Sequence, residues 1–251
     1  MIVVLSGEGK SDLGQCNNGQ DHCFGNTFQQ GAMTLVIDKI IESSLQYSLL
    51  ESTPDCYHYF SEGFLANKAK NRHKRNISLR GKHHPDHETS YFYINAFMLG
   101  EIAKELATQL NDTAIAILFR DSDGTNSSEY GLWQQQLNSI NHGFERAEFE
   151  FGVAMLPKPK SEAWLLCAIQ NNYQHCAHLE DLSGNDNAPN NAKKLLNQAL
   201  NGDNSAERIY HWLEQNDLLL DKLAHQMNSF KEFYNKLLTT LKNTCNHPSF
   251  P

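Results

Sequence analysis

Four acidic residues stand where chemistry is possible: Glu8, Asp121, Asp123 and Glu162. Asp121 and Asp123 sit two positions apart in FRDSDGT, directly after the apolar run Ala114 to Phe119. In an extended backbone such side chains point the same way. Two like charges held together repel unless a proton or a cation lies between them. The first candidate is Mg²⁺ or Mn²⁺, which prefers oxygen ligands, activates water and neutralises a phosphodiester. Glu8 lies at the tip of a glycine turn in LSGEGKSDLG, and Glu162 follows Ser161 in PKPKSEAWLL. A carboxylate in the first turn of a helix is also favoured by the helix dipole alone. Lys10, Lys158 and Lys160 are candidates for contacting substrate phosphates, although lysines on a proline turn are commonly just solvated.

These groups need elements to position them. The run at 114–119, apolar and partly β-branched, fits a strand covered on both faces and stopped at Gly124. Ile2 to Leu5 reads as a first strand entering the glycine turn. GEGKS is not a phosphate-binding P-loop, because Val4 stands where that motif needs glycine. Residues 14–30 read as a loop. From Gly31 to about Leu50, Met33, Val36, Ile37, Ile40, Ile41 and Leu45 recur at helical spacing. A second helix starts at Thr89 or Ser90, with Tyr91, Phe92 and Tyr93 serving as core and helix start in preference to a base-stacking platform. Helix followed by strand suggests a βαβ crossover and a parallel sheet. Phe149 to Leu156 reads as another strand, stopped by Pro157 and Pro159, and Ser161 caps the helix after it. Residues 183–191 form a loop, Asn191 or Ala192 opens a helix carrying Lys193 and Lys194, and 205–242 holds two helices separated near Asn216. The expectation is one α/β domain over 1–251, helical over roughly 162–243, with a tail at 244–251. Parallel strands would bring the carboxylates to one edge, where open α/β sheets bind ligands.

The chain has 251 residues and a formal net charge of −8, which argues against a general nucleic-acid coat but not against a local basic patch. Seven of its cations fall in fifteen residues (Lys68, Lys70, Arg72, Lys74, Arg75, Arg80, Lys82), as a phosphate-contacting arm or a solvated loop. His73, His83, His84 and His87 accompany them and read as exposed loop histidines. With no long apolar run and no signal-peptide pattern, a soluble cytoplasmic protein is expected. The six cysteines are scattered, so reduced thiols are expected, and Cys16, His22 and Cys23 lack the partners that would complete a zinc site.

In this order, LSGEGKSDLG and FRDSDGT resemble the TOPRIM fold of primases, topoisomerases and nucleases related to the overcoming-lysogenisation-defect (OLD) family. GAMTLVIDKII, PKPKSEAWLL and NAKKLL resemble a bacterial family of TOPRIM-like proteins, so the likeness spans most of the chain. It implies a mostly parallel sheet flanked by helices and Mg²⁺-dependent phosphodiester chemistry. Glu8 would be a metal ligand or general acid/base, Asp121 and Asp123 metal ligands, and Glu162 a later acidic position. It further implies a nuclease acting on nucleic acid, DNA sooner than RNA, in host defence or mobile-element biology. The ATPase part of the larger OLD nucleases has no counterpart here, which suggests a separate ATPase or other protein partner. Two alternatives stay open. DSDGT also fits haloacid-dehalogenase-like phosphatases, with Asp121 as nucleophile, and a TOPRIM-like shell can serve as a non-catalytic scaffold.

Overall fold

The computed structural model describes residues 1–72, 89–122, 131–170 and 172–245, without the Lys10 side chain. Five strands form one sheet: β1 (Ile2–Gly7), β3 (His22–Phe24), β5 (Tyr57–Phe60), β6 (Ala114–Phe119) and β7 (Gly152–Met155). They lie in the order β3-β5-β1-β6-β7, all parallel except the edge strand β3. Two further strands, β2 (Gly14–Cys16) and β4 (Phe28–Gln30), pair antiparallel beside the sheet. The expected α/β architecture is therefore present.

The alternation of side chains along each strand divides the core. Val3, Leu5, Ile115, Ile117 and Phe119 face α1 (Ala32–Leu45), α6 (Ser161–Ile169) and α10 (Asn228–Cys245). Ile2, Val4, Ala114, Ala116 and Leu118 face α4 (Ser90–Leu110) and α5 (Leu132–Arg146). Both faces are covered, which is why β1 and β6 read as uninterrupted apolar runs.

The connections open a crevice at one edge of the sheet. From β1 the chain crosses by α1 to β5 on one side. From β6 it crosses by α5, on the opposite face, to β7 on the other side. Right-handed crossovers leaving in opposite directions require helices on opposite faces, and they open a crevice between the C-terminal ends of β1 and β6. Gly7 ends β1 there. A Cβ at that position would lie 2.3 Å from the Phe119 carbonyl oxygen, so only glycine lets the two strand ends approach this closely.

Several sequence expectations need correction. The supposed loop at 14–30 contains β2, β3 and β4, each three residues long, and β5 was not recognised. Strands this short are fixed by distant partners rather than by local pattern. The 205–242 region holds three helices, α8 (Ala206–Gln215), α9 (Leu220–Gln226) and α10, because the chain breaks again at Met227. α10 continues to Cys245 and buries Thr244, so the tail starts later than expected. The cysteines are not all reduced thiols: Cys16 is joined to Cys23 and Cys167 to Cys176. The separations of seven and nine residues hid the pairs, while local turns bring their Cα atoms to 5.6 and 5.4 Å. No helix among the described residues is long and apolar enough to cross a membrane.

Candidate functional site

Three loop segments meet at the crevice, and one serine ties them together. After β6, the Arg120 amide donates to the Met155 carbonyl, and the buried Ser122 amide lies against the carbonyls of Pro157 and Pro159. Asp121 is thereby aimed at the start of α6, where its Oδ1 accepts from the Ser161 amide at 3.0 Å. The first amides of a helix lack internal partners and attract negative charge. The Ser161 hydroxyl donates in turn to Oδ1 of Asp12 at 2.7 Å. Asp12 lies in the π-helical turn Gly9–Leu13 that follows β1. Ser161 therefore holds one carboxylate through its amide and another through its side chain.

Asp12 is the site residue that sequence reasoning missed. Burial pushes its carboxyl above the ordinary range, opposed by hydrogen bonds from Ser161 and Ser11 and by the charges of Lys193 and Lys160. Gly9 permits this arrangement: its φ is +82°, and a Cβ there would stand 2.4 Å from Asp12 Oδ2. The signal was present as a second acid in GEGKSD, four residues after Glu8. Its partner Ser161 lies 149 residues away.

Glu162 follows in the first turn of α6. Its carboxyl is also pushed up, first by burial; the neighbouring charge of Asp12 adds to the rise, while its own backbone amide, Lys160 and Lys193 oppose it. Oε2 of Glu162 is buried with no hydrogen-bond partner among the described residues. Lys160, expected as a solvated or phosphate-contacting group, is only 9% exposed, and its Nζ donates to Asp186 Oδ1 at 2.7 Å. That bond holds the Asp186 carboxyl below its ordinary range. Lys158 remains at the surface, 3.6 Å from Asp181.

Glu8 takes a different partner. Arg120 bridges Glu8 at 3.2 Å and Glu62, the first residue of α3 (Glu62–Lys70), at 3.3 Å. The guanidinium carbon lies 3.6 Å from the centre of the Tyr91 ring, so that aromatic residue positions an arginine at the start of α4. Burial raises the Glu62 carboxyl; Arg120 opposes the rise and Glu8 adds to it.

The structure thus brings Asp121, Glu162 and the unforeseen Asp12 to the start of α6, and holds Glu8 in the guanidinium cluster at the end of β1. Asp123, Lys74, Arg75, Arg80 and the Lys10 side chain lie outside the described residues. Among the described residues, no three His, Cys, Asp or Glu side chains are grouped so as to hold a metal ion. The donors present are carboxylate and hydroxyl oxygens, with one buried carboxylate oxygen unmet, a set that suits a hard divalent cation. Of the basic cluster, Lys68 pairs with Glu105, and Arg72 pairs with Glu101 at 2.9 Å and packs on Phe97. These two cations serve α4. The zinc candidates are otherwise engaged: Cys16 and Cys23 bond each other, and His22 Nε2 lies 3.2 Å from His58 Nδ1. His58 is held down to about 4, chiefly by burial and then by His22.

No family model, curated protein or solved structure matches the chain.

Proposed function

We propose that the crevice between β1 and β6 is a divalent-cation site for phosphodiester hydrolysis on nucleic acid, DNA sooner than RNA, as in a TOPRIM-like nuclease. The observation carrying this reading is the buried, unpartnered Oε2 of Glu162 beside Asp12, whose carboxyl burial pushes above its ordinary range, at the topological switch point of a mostly parallel sheet. Carboxylates in that state are stabilised by a cation. Asp121, Asp123 and Glu162 would be the oxygen ligands of Mg²⁺ or Mn²⁺, with Asp12 next to them. A bound ion of this kind supplies an activated water and neutralises charge on the phosphodiester.

The remaining roles belong to the chain itself. Ser161 fixes the two aspartates relative to each other, with its hydroxyl on Asp12 and its amide on Asp121. Arg120 orients Glu8, which is placed to exchange a proton with water or a leaving oxygen. Lys193, whose charge reaches Asp12 and Glu162, and the half-buried Lys158 would meet substrate phosphates. A separate ATPase or other protein partner belongs to the same reading.

The test compares wild-type protein with Asp121→Asn, Glu162→Gln, Asp12→Asn and Glu8→Ala on supercoiled plasmid and single-stranded substrates, with and without Mg²⁺ or Mn²⁺. Metal-dependent cutting by wild type and its loss in the Asp121 variant are expected. Equal cutting by all five proteins sinks the proposal, and an acyl-phosphate trapped on Asp121 transfers the site to the phosphatase reading. A non-catalytic scaffold is the second reading, favoured by the lack of a three-carboxylate metal group among the described residues. It predicts a silent wild type that still binds a partner.

A further inference from the structure

We propose that a cavity along the outer edge of β7 is a second binding site, for an aliphatic polyamine whose methylenes lie on an apolar floor and whose ammonium groups reach a rim of glutamates. β7 is the last strand of the sheet, so the side turned away from β6 pairs with no described strand. The carbonyls of Phe151 and Met155 accept from the amides of Ala116 on β6 and Arg120 just after it. Backbone groups alternate in direction along a strand, so those of Gly152 and Ala154 point outward. Both residues line an open cavity of about 650 Å³ between α5 and α10. It lies where the chain enters β7, at the opposite end of the strands from the crevice.

The lining has two parts. Leu137, Phe144, Phe149 and Ala154 form the apolar floor. Gly152 lets the Phe144 ring lie against the strand, since a Cβ there would stand 2.2 Å from that ring. The rim carries Glu145 from α5, Glu148 and Glu150 from the turn into β7, and Glu232 from α10, against one cation, Lys236. All four glutamates are exposed, and no described cation bridges any of their carboxylates. Glu148 also has a φ of +55°, where glycine is favoured, so the chain keeps a carboxylate there at a backbone cost.

The spacing of the charges selects the ligand. An anion is repelled, and the same face of a second copy would bring its own glutamates against these. Among the described residues no three His, Cys, Asp or Glu side chains are grouped to hold a metal ion, so the rim does not cage a single dication. Separated carboxylates above an apolar floor match separated ammonium groups joined by methylenes. Such amphipathic cations lay their stems on apolar surface and keep their charge in water. The outward carbonyls of Gly152 and Ala154 offer further acceptors to the ammonium donors.

Calorimetric titration of the full-length protein with spermidine, in parallel with n-butylamine and a decalysine peptide, tests the proposal. One spermidine per chain is expected, bound more weakly as salt rises. n-Butylamine, with a single charge, should bind far more weakly. A triple variant, Glu148→Gln with Glu150→Gln and Glu232→Gln, should lose at least about tenfold in spermidine affinity, at roughly 2–5-fold for each exposed carboxylate. Glu148→Gly should weaken binding while melting no lower than wild type, which separates the ligand from folding. Asp121→Asn should leave binding unchanged. Equal spermidine affinity in wild type and the triple variant overturns the proposal, as does n-butylamine binding as tight as spermidine. Loss of binding in Asp121→Asn puts the amine in the crevice and overturns it too. Decalysine binding without spermidine binding makes the rim a protein-docking surface and overturns it as well.

Discussion

Asp38 and Glu162 are both carboxylates withdrawn from water, and the chain treats them in opposite ways. Asp38, on α1, receives the Ser48 hydroxyl at 2.6 Å, the Tyr57 hydroxyl at 2.7 Å and the amides of Leu49 and Leu50 at 3.1 Å. Four donors on two oxygens leave nothing for a ligand to supply. They also tie α1 to α2 (Leu49–Ser52) and β5. Glu162 keeps one oxygen without a donor and a like charge for a neighbour. Burial alone therefore does not distinguish these two carboxylates; the completeness of compensation does.

The largest separation is expected between Asp121→Asn and Asp38→Ala. Asparagine keeps an acceptor for the Ser161 amide, so stability should change little, whereas metal-dependent cleavage should fall by more than the roughly 100-fold that loss of a mere supporting group costs at a metal site. Asp38→Ala should do the reverse. It strands buried donors at roughly 1–3 kcal/mol each, which predicts a loss of at least about 3 kcal/mol in urea unfolding. Activity at a temperature where the variant is still folded should survive. If Asp38→Ala abolishes cleavage in the folded state, or Asp121→Asn unfolds the chain, the contrast between the two carboxylates fails.

Glu162→Gln sharpens the comparison from the other side. Folding raises the Glu162 and Asp12 carboxyls, so the native state keeps those protons to higher pH than the unfolded chain does. Stability must then fall as pH rises from about 4 through the raised values, and the deficit is complete above them. Removing the charge should stabilise the metal-free protein by about 0.5–2 kcal/mol at pH 7, the usual gain when a functional site is relaxed, with no gain near pH 4. Thermal melts across pH 4–8 measure this. Mg²⁺ should raise the melting temperature of wild type at pH 7 more than that of the variant. A gain that does not depend on pH would place its cause elsewhere.

Much of the scaffold was legible because its signals are local. The runs in β1 and β6, the stripe on α1 and the Asn191 cap of α7 (Ala192–Ala199) all follow from residues within one or two turns; α6 does begin at Ser161, but Lys160 holds the cap position and the serine hydroxyl, expected to cap the helix, is drawn away to Asp12. Two of the proposed site acids, Asp121 and Glu162, were legible for the same reason, since one ends a strand and the other begins a helix. The rest depends on contacts between distant segments. Asp12 becomes a candidate site residue because Ser161 reaches it, and the Lys160 ammonium donates to Asp186, 26 residues later. β5 was the avoidable miss. Tyr57–Phe60 is an aromatic, strand-prone run between Pro54 and the cap Ser61, and such a run signals a strand even without alternation.

Glu8 and Glu62 show a third way of compensating a carboxylate, by a shared guanidinium, and here the smallest effect is expected. Arg120 and both glutamates are about one-quarter to one-third exposed, so water already screens the pairs. Exposed ion pairs of this kind are worth roughly 0–1 kcal/mol. What fixes Arg120 is the Tyr91 ring beneath it, a contact of about 0.5–1 kcal/mol at a partly exposed position. Tyr91→Leu keeps apolar bulk but removes the ring face. It should cost about that much in urea unfolding at both low and high salt, because a ring quadrupole is screened less than an ion pair between solvated charges. The cleavage rate should fall more than the stability does, since Glu8 loses a fixed partner while the Asp121 half stays intact. A loss that disappears in high salt would assign the holding force to the ion pairs, and an unchanged rate would detach Glu8 from the reaction.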